Sequence, residues 1–153
     1  MNNDFPCHQP YHSVLELLLL QNCLPATKES IHGVSTCTEY NKNSEVFHIH
    51  TPARGIYIIC HGQVKLTRKV NDFASHRIVG VGDVIGLESL HNHSGYETSA
   101  IATMHSCIAF IPGNIIQQLI KNDSAFRINL LHASCTSGYT VEKHGVESIV
   151  YVP

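Results

Sequence analysis

The chain contains 153 residues, a length typical of one domain rather than two. Hydrophobic residues make up 43% of it and charged residues 14%, a composition that can bury a core and that excludes an intrinsically disordered chain. With 10 Lys and Arg against 12 Asp and Glu the net charge is -2, which argues against a surface that neutralises many nucleic-acid phosphates.

The first 24 residues predict a short helical segment. Ser13 can cap a helix over residues 14–21, and Pro25 interrupts the pattern. Residues 1–13 contain no Lys or Arg, and Glu16 interrupts the apolar stretch, so we expect neither a signal peptide nor a membrane span. The 6 cysteines are scattered without CxxC spacing and are interpreted as reduced thiols, which predicts a cytoplasmic protein.

A second helical turn is predicted over residues 27–33. From residue 45 to residue 112 the pattern changes to period-two alternation with glycine at the turns, which predicts short antiparallel strands. Within one of them Val64 and Leu66 share one face and Lys65 and Thr67 the other. The predicted strands cover residues 45–50, 55–60, 63–68, 76–81, 96–103 and 106–111. Their even spacing favours a sandwich, jelly roll or barrel.

Two helices are predicted after these strands. Asn114 can cap a helix that runs to about residue 120, and Asp123 or Ser124 can cap another that runs toward His132 and stops at Gly138. Residues 136–153 predict no defined element and are too few for a helix-turn-helix.

Four motifs in the β-rich region resemble, in order and spacing, the β-roll of Crp/Fnr-type transcription regulators. They are GIYII at residues 55–59, GQVKL at 62–66, GDVIGLESL at 82–90 and TSAIA at 98–102. The resemblance implies a mainly β fold, a double-stranded β-helix jelly roll of the cyclic-nucleotide-binding-like type with N- and C-terminal helices. It divides the chain into a helical segment (residues 1–24), the β-roll with its following helix (residues 25–135) and a tail (residues 136–153).

The same resemblance implies a place for a small effector, the phosphate-binding cassette. Cyclic-nucleotide-binding members carry a glutamate directly after the glycine that Gly86 matches, and later an arginine followed by a small hydroxyl residue. Here Leu87 occupies the glutamate position and Thr98 the arginine position. The candidate ligand-binding residues are Gly86, Leu87, Glu88, Ser89, Leu90, Thr98, Ser99 and Ala100.

These two departures predict weak binding of cyclic nucleotides. A buried cyclic phosphate needs a compensating cation, best supplied by a guanidinium, and an unpaired buried charge costs roughly 3 to 5 kcal/mol. We therefore expect a roll interior that has lost its positive group and does not bind cyclic AMP tightly. Either another small-molecule effector of unknown identity binds there, or the cassette is packed shut. The expectation that the positive group has been lost would be wrong if an arginine, such as Arg77, reached into the interior of the roll.

The resemblance also implies a transcription regulator that works as a homodimer. We expect the dimer to form through the helical region after Pro112, with Phe126, Leu130 and Leu131 as its apolar contacts. The cluster formed by Lys65, Arg68 and Lys69 is typical of a solvated strand face, so no DNA contact is predicted for this chain.

The alternative is a metal-binding cupin-like protein. His48 and His50 would share one face of a strand, a geometry that can chelate a metal, although Arg54 and Gly55 stand where cupins place a carboxylate ligand. Strand alternation alone predicts that both histidines face solvent while Phe47 and Ile49 pack inward, and this interpretation is favoured over a metal site. The sequence contains no nucleophile elbow, phosphate loop or HExxH motif, so we predict that the protein is not an enzyme.

Overall fold

The computed structural model describes residues 8–90, 95–133, 139–143 and 146–150. Side chains are described for residues 12–69, 71–87, 90 and 95–133. The helices are α1 (His8–Leu18), α2 (Pro25–Val34), α3 (Gly113–Asn122) and α4 (Ser124–Ala133), with a single 3-10 turn at Leu87–Leu90. The strands are β1 (Thr36–Tyr40), β2 (Glu45–Phe47), β3 (Gly55–His61), β4 (Gln63–Val70), β5 (Phe73–Gly80), β6 (Val84–Ile85), β7 (Ser99–Ala102), β8 (Ser106–Pro112), β9 (Tyr139–Lys143) and β10 (Val146–Val150).

The strands form two antiparallel sheets. One has four strands in the order β1-β8-β3-β6, and the other has six in the order β10-β9-β5-β4-β7-β2. The sheets do not close into a barrel. The predicted mainly β class with flanking helices is therefore confirmed. Of the sandwich, jelly roll and barrel that the strand spacing allowed, the structure shows the sandwich-like jelly roll.

The central strands of the four-stranded sheet, β3 and β8, are buried on both faces, between the helices on one side and the six-stranded sheet on the other. Along β3, Ile58 packs toward the helices and Ile59 packs toward the other sheet, as alternation requires. We call the two groups of buried side chains the helix-side cluster and the roll-interior cluster. The helix-side cluster includes Leu15, Leu19, Ile31, Ile56, Ile58, Ile111, Ile116, Phe126 and Leu130. The roll-interior cluster consists of Phe47, Ile59, Val64, Leu66, Val79, Ile85, Tyr96, Ala100 and Ile108.

Asp123 joins the starts of two helices, and it is the residue that caps α4. One carboxylate oxygen accepts hydrogen bonds from the Thr27 hydroxyl at 2.7 Å and the Leu24 backbone N–H at 2.9 Å. The other accepts from the backbone N–H groups of Ala125 and Phe126, at 3.0 and 3.3 Å. Burial alone would raise the pKa of Asp123, but these hydrogen bonds to the charged form outweigh it and lower the pKa.

Several element boundaries differ from the sequence prediction. Helix α1 begins at His8, and the edge strand β1 was not predicted because its exposed, polar sequence has no clear alternation. Residues 136–153 predicted no element, yet β9 pairs with β5 and extends the six-stranded sheet. The predicted helix stop at Gly138 lies outside the described residues. Within the described part of the chain, no helix has the length and apolarity that a bilayer crossing requires.

Helix α4 corrects the predicted dimer contacts. Phe126 is 0% exposed and Leu130 is 4% exposed, and both belong to this chain's own helix-side cluster. They are therefore not available to a partner. Leu131 is 61% exposed, as predicted for a contact residue, and Ile128 joins it at 49%.

Candidate functional site

The cassette region connects the two sheets. It begins in β6 of the four-stranded sheet, passes through Gly86 and the 3-10 turn at Leu87–Leu90, and enters β7 of the six-stranded sheet. Gly86 has a φ of +83°, a conformation that favours glycine, so the turn out of β6 depends on it. Residues 91–94 and the side chains of Glu88 and Ser89 lie outside the described part of the chain.

Leu87 and Leu90 pack toward the helices rather than into the roll. Both are partly buried against the helix-side cluster. The Leu90 carbonyl oxygen also accepts a hydrogen bond from the Gln117 side-chain amide of α3, at 3.3 Å. Leu87, at the position where cyclic-nucleotide-binding members have a glutamate, therefore contributes to the contact between the cassette and the helices.

The other half of the candidate site lies at the start of β7. Thr98 is half-buried and directly precedes the strand. Ser99 is 9% exposed, and its hydroxyl oxygen accepts a hydrogen bond from the Ile49 backbone N–H at 2.9 Å. Ala100 is fully buried in the roll-interior cluster. Adjacent residues alternate between sheet faces, so only Thr98 and Ala100 share the inner face.

Aromatic rings occupy the space beneath the cassette turn. The rings of Phe47 and Tyr96 stack with centroids 4.1 Å apart, and Tyr57 lies 5.3 Å from Phe47. A Cβ atom at Gly86 would meet the Tyr96 ring at 3.1 Å. Burial raises the pKa of Tyr96, whose hydroxyl donates a hydrogen bond to the Gly55 carbonyl oxygen at 3.0 Å. The side of the cassette that faces the interior is therefore closely packed.

A guanidinium lies on the inner face of the six-stranded sheet. The register pairs Arg77 in β5 with Leu66 in β4, and Leu66 with Ala100 in β7. Directly opposed residues of antiparallel strands share a face, so Arg77 belongs to the inner face. It is only 6% exposed, and Val79 two residues later is fully buried on the same face. The expectation that the interior has lost its positive group is therefore wrong, although the cassette position Thr98 has none.

Sequence reasoning did not place Arg77 among the site residues, although a signal for it was present. The predicted strand over residues 76–81 contains Val79, an apolar residue expected to face inward, and Arg77 is two positions away. Period-two alternation alone assigns both to one face. What the sequence could not supply was the neighbouring pair, Leu66 and Ala100, because that depends on the order of the strands.

The histidine pair of the cupin-like alternative does not have the expected geometry. Strand β2 ends at Phe47, and His50 has a φ of +67°, so His48 and His50 lie in a turn rather than on one face of a strand. His48 Nδ1 lies 3.1 Å from a carboxylate oxygen of Glu45. Among the residues that the structure describes, no three His, Cys, Asp or Glu side chains are grouped so that they could hold a metal ion.

Comparison with known proteins identifies the domain. The family model described as "Cyclic nucleotide-binding domain" matches residues 37–123, whereas no curated protein matches the sequence. The sensor domain of the transcriptional regulator DNR from Pseudomonas aeruginosa superposes with a TM-score of 0.67 at 17% identity, over 79% of this chain and 88% of that one. A putative cyclic nucleotide-binding protein from Geobacter metallireducens gives 0.64 at 20% identity, over 79% of this chain and 89% of that one.

The catabolite activator protein of Thermus thermophilus has the same fold, with a TM-score of 0.61 and 19% identity. The match covers 74% of this chain but only 55% of the activator, so this chain corresponds to about half of that protein. These similarities show that the two sheets form the β-roll predicted from the four sequence motifs. The family model matches more than half of this chain's residues, so the chain belongs to the cyclic nucleotide-binding domain family.

Proposed function

We propose that this chain is the effector-sensing domain of a cytoplasmic Crp/Fnr-type transcription regulator, and that its effector is a small anion rather than a tightly bound cyclic nucleotide. The buried guanidinium of Arg77 on the inner face of the roll carries the proposal. A buried arginine is a strong recognition group for a carboxylate or phosphate, because its planar guanidinium can donate two parallel hydrogen bonds.

The cassette argues against tight cyclic-nucleotide binding in the position usual for the family. Thr98 is uncharged, and two strand spacings, about 10 Å, separate its strand from that of Arg77. Leu87 packs toward the helices, and Tyr96 fills the space next to Gly86. A cyclic phosphate buried here without its cation would lose about 3 to 5 kcal/mol, which is more than a hundredfold in affinity.

The contacts of the cassette supply a route from the effector to the helices. Leu87 and Leu90 pack in the helix-side cluster, and Gln117 of α3 donates a hydrogen bond to the Leu90 carbonyl. A ligand that favours one position of the 3-10 turn would shift the population of α3 and α4 positions through these contacts. Response to an effector therefore needs no catalytic group, and we assign the domain no enzymatic activity.

The homodimer is proposed to form on the exposed face of α4. Ile128 and Leu131 are each about half or more exposed, and exposed apolar side chains close together are typical of protein contacts. Leu131 is retained from the predicted contacts and Ile128 is added, whereas Phe126 and Leu130 are excluded because they are buried in the helix-side cluster. DNA contact is not assigned to this domain.

Thermal unfolding of the purified chain tests the effector proposal. The probes are cyclic AMP, cyclic GMP, inorganic phosphate and citrate, each added to the wild type, to Arg77→Gln and to Arg54→Gln, a matched loss of an exposed arginine. A ligand at about 100 times its dissociation constant adds about 2.7 kcal/mol of stability. We expect one of the small anions to stabilise the wild type and Arg54→Gln, but not Arg77→Gln.

Two results would contradict this proposal. Strong stabilisation by cyclic AMP that Arg77→Gln leaves intact would mean that the cassette binds a cyclic nucleotide despite Thr98. Failure of every probe to stabilise the wild type would mean that the roll is packed shut and senses nothing of this kind.

A further inference from the structure

We propose that the outer face of the six-stranded sheet carries a second, separate binding site for a compact polyvalent phosphate such as triphosphate. A groove of about 370 Å³ lies on this face, between the β4–β5 hairpin and the loop after β2. We call it the outer groove. Its polar lining includes His50, Lys65, Thr67, Lys69, His76 and Ser99.

Strand geometry places Thr67 at the centre of the groove. Its register partners are His76 in β5 on one side and Ser99 in β7 on the other, so three hydrogen-bonding side chains form a row across the sheet. Lys65 and Lys69 stand two residues before and after Thr67 on the same strand. They share its face and lie about 7 Å from it along the strand.

The groove has the charge that a polyvalent anion requires. Lys65 and Lys69 line it from the outer face of β4, and Arg68, which alternation assigns to the other face of the strand, borders it as well. No Asp or Glu is among the described lining residues. The chain as a whole has a net charge of -2, so this positive region is local. Lys65 and Lys69 each lie about 7 Å from Thr67 along the strand, which is less than the Debye length of about 10 Å at 0.1 M salt, so both act on an anion bound at Thr67.

Hydrogen-bond donors are available between the cations. Ser99 accepts from the Ile49 backbone N–H at 2.9 Å, and a serine hydroxyl that accepts in this way can still donate its own proton. The Thr67 hydroxyl adds another donor in the same row. Phosphate oxygens accept several such hydrogen bonds at once, so the pattern of donors flanked by cations suits a phosphate chain better than a single carboxylate.

The size of the groove favours a small ligand over a nucleic acid. Its volume is near the lower end of the range of about 300 to 1,000 Å³ that small-molecule sites occupy. A nucleic acid requires a longer run of phosphate contacts, which the chain's few basic residues do not provide. The site does not depend on the proposed effector, because Lys65, Thr67 and Lys69 alternate with Leu66, which faces the interior beside Arg77.

Isothermal titration of inorganic triphosphate into the full chain at low salt tests the proposal. The variants are Lys65→Gln/Lys69→Gln and, as a control with equal loss of charge, Lys42→Gln/Lys121→Gln on exposed residues elsewhere. We expect one triphosphate per chain, about tenfold weaker binding in the groove variant, and wild-type binding in the control and in Arg77→Gln.

A second variant distinguishes a loss of triphosphate binding from a loss of folding. Thr67→Val keeps a residue that favours strands and removes one donor, so we expect weaker triphosphate binding with an unchanged unfolding midpoint. Several results would overturn the proposal: no saturable binding, the same loss in both lysine variants, loss only in Arg77→Gln, or tighter binding of a single-stranded oligonucleotide than of triphosphate. Loss only in Arg77→Gln would mean that the anion binds in the roll interior. Tighter binding of the oligonucleotide would mean that the groove binds nucleic acid.

Discussion

The two sheets of this domain differ in how many of their faces are covered. The four-stranded sheet has helices on one face and the other sheet on its second face, so β3 is almost continuously apolar. Among the residues whose side chains the structure describes, those that pack on the six-stranded sheet cover its inner face only, and β4 alternates between buried Val64 and Leu66 and polar Lys65 and Thr67. Both sheets therefore contribute to the core, the first with two faces and the second with one, and the outer face of the second is the one on which we propose a binding site.

Truncation of one isoleucine in each sheet gives the largest expected difference. Ile58 is 0% exposed in β3, whereas Ile78 in β5 is 45% exposed. We expect Ile58→Ala to lower the free energy of unfolding by about 2 to 5 kcal/mol, because it leaves a cavity, and Ile78→Ala by less than about 1 kcal/mol. Urea unfolding measures both. Similar losses would mean that the outer face is covered as well.

Removal of the carboxylate that joins the helices has the next largest effect. We expect Asp123→Ala to cost about 2 to 3 kcal/mol, because it leaves the donors of Thr27 and of two helix starts without their acceptor. The measurement is urea unfolding near neutral pH. A cost below about 0.5 kcal/mol would contradict this account of the helix layer.

The pH dependence of Asp123 has a defined sign. Its pKa is lowered from the ordinary 3.8, so its contribution is fully present above that value and is lost as the pH falls through the lower pKa of the folded state. The wild type should therefore lose more stability than Asp123→Asn as the pH is lowered from neutral to below 3.8. If the free energy of unfolding of the two proteins fell in parallel with pH, the Asp123 carboxylate would not contribute to the loss of stability in acid.

The smallest expected effect concerns the turn that connects the two sheets. Gly86→Ala and Gly82→Ala both place a Cβ at positive φ, which costs roughly 1 to 2 kcal/mol. A Cβ at residue 82 meets nothing within 4 Å, but at residue 86 it meets Tyr96 at 3.1 Å and the Gly55 carbonyl oxygen at 3.2 Å. We expect Gly86→Ala to be the more destabilising by about 1 kcal/mol. Equal losses would show that the space beneath the cassette is not closely packed.

Much of the fold could be predicted from local sequence patterns. Alternation along β4, the glycine turns and the cap at Asp123 are all properties of a few neighbouring residues. The edge strand β1 and the pairing of β9 with β5 were not predicted, because an edge strand needs no clear alternation and its partner is distant in the chain. The candidate cassette was located by resemblance, but Leu87 packs toward the helices, which no local pattern indicates.

The sequence by itself determined which side chains share a face of each strand, since alternation depends only on the backbone of that strand. It thereby predicted that Arg77 shares a face with Val79, and Thr67 with Lys65. The structure extends β4 to Val70 and so adds Lys69 to the face of Thr67. Only the tertiary structure decided which strands are neighbours and in what register, because these depend on pairings between distant segments. That pairing buries Arg77 beside Leu66 and aligns Thr67 with both His76 and Ser99, and so creates the two sites proposed for this domain.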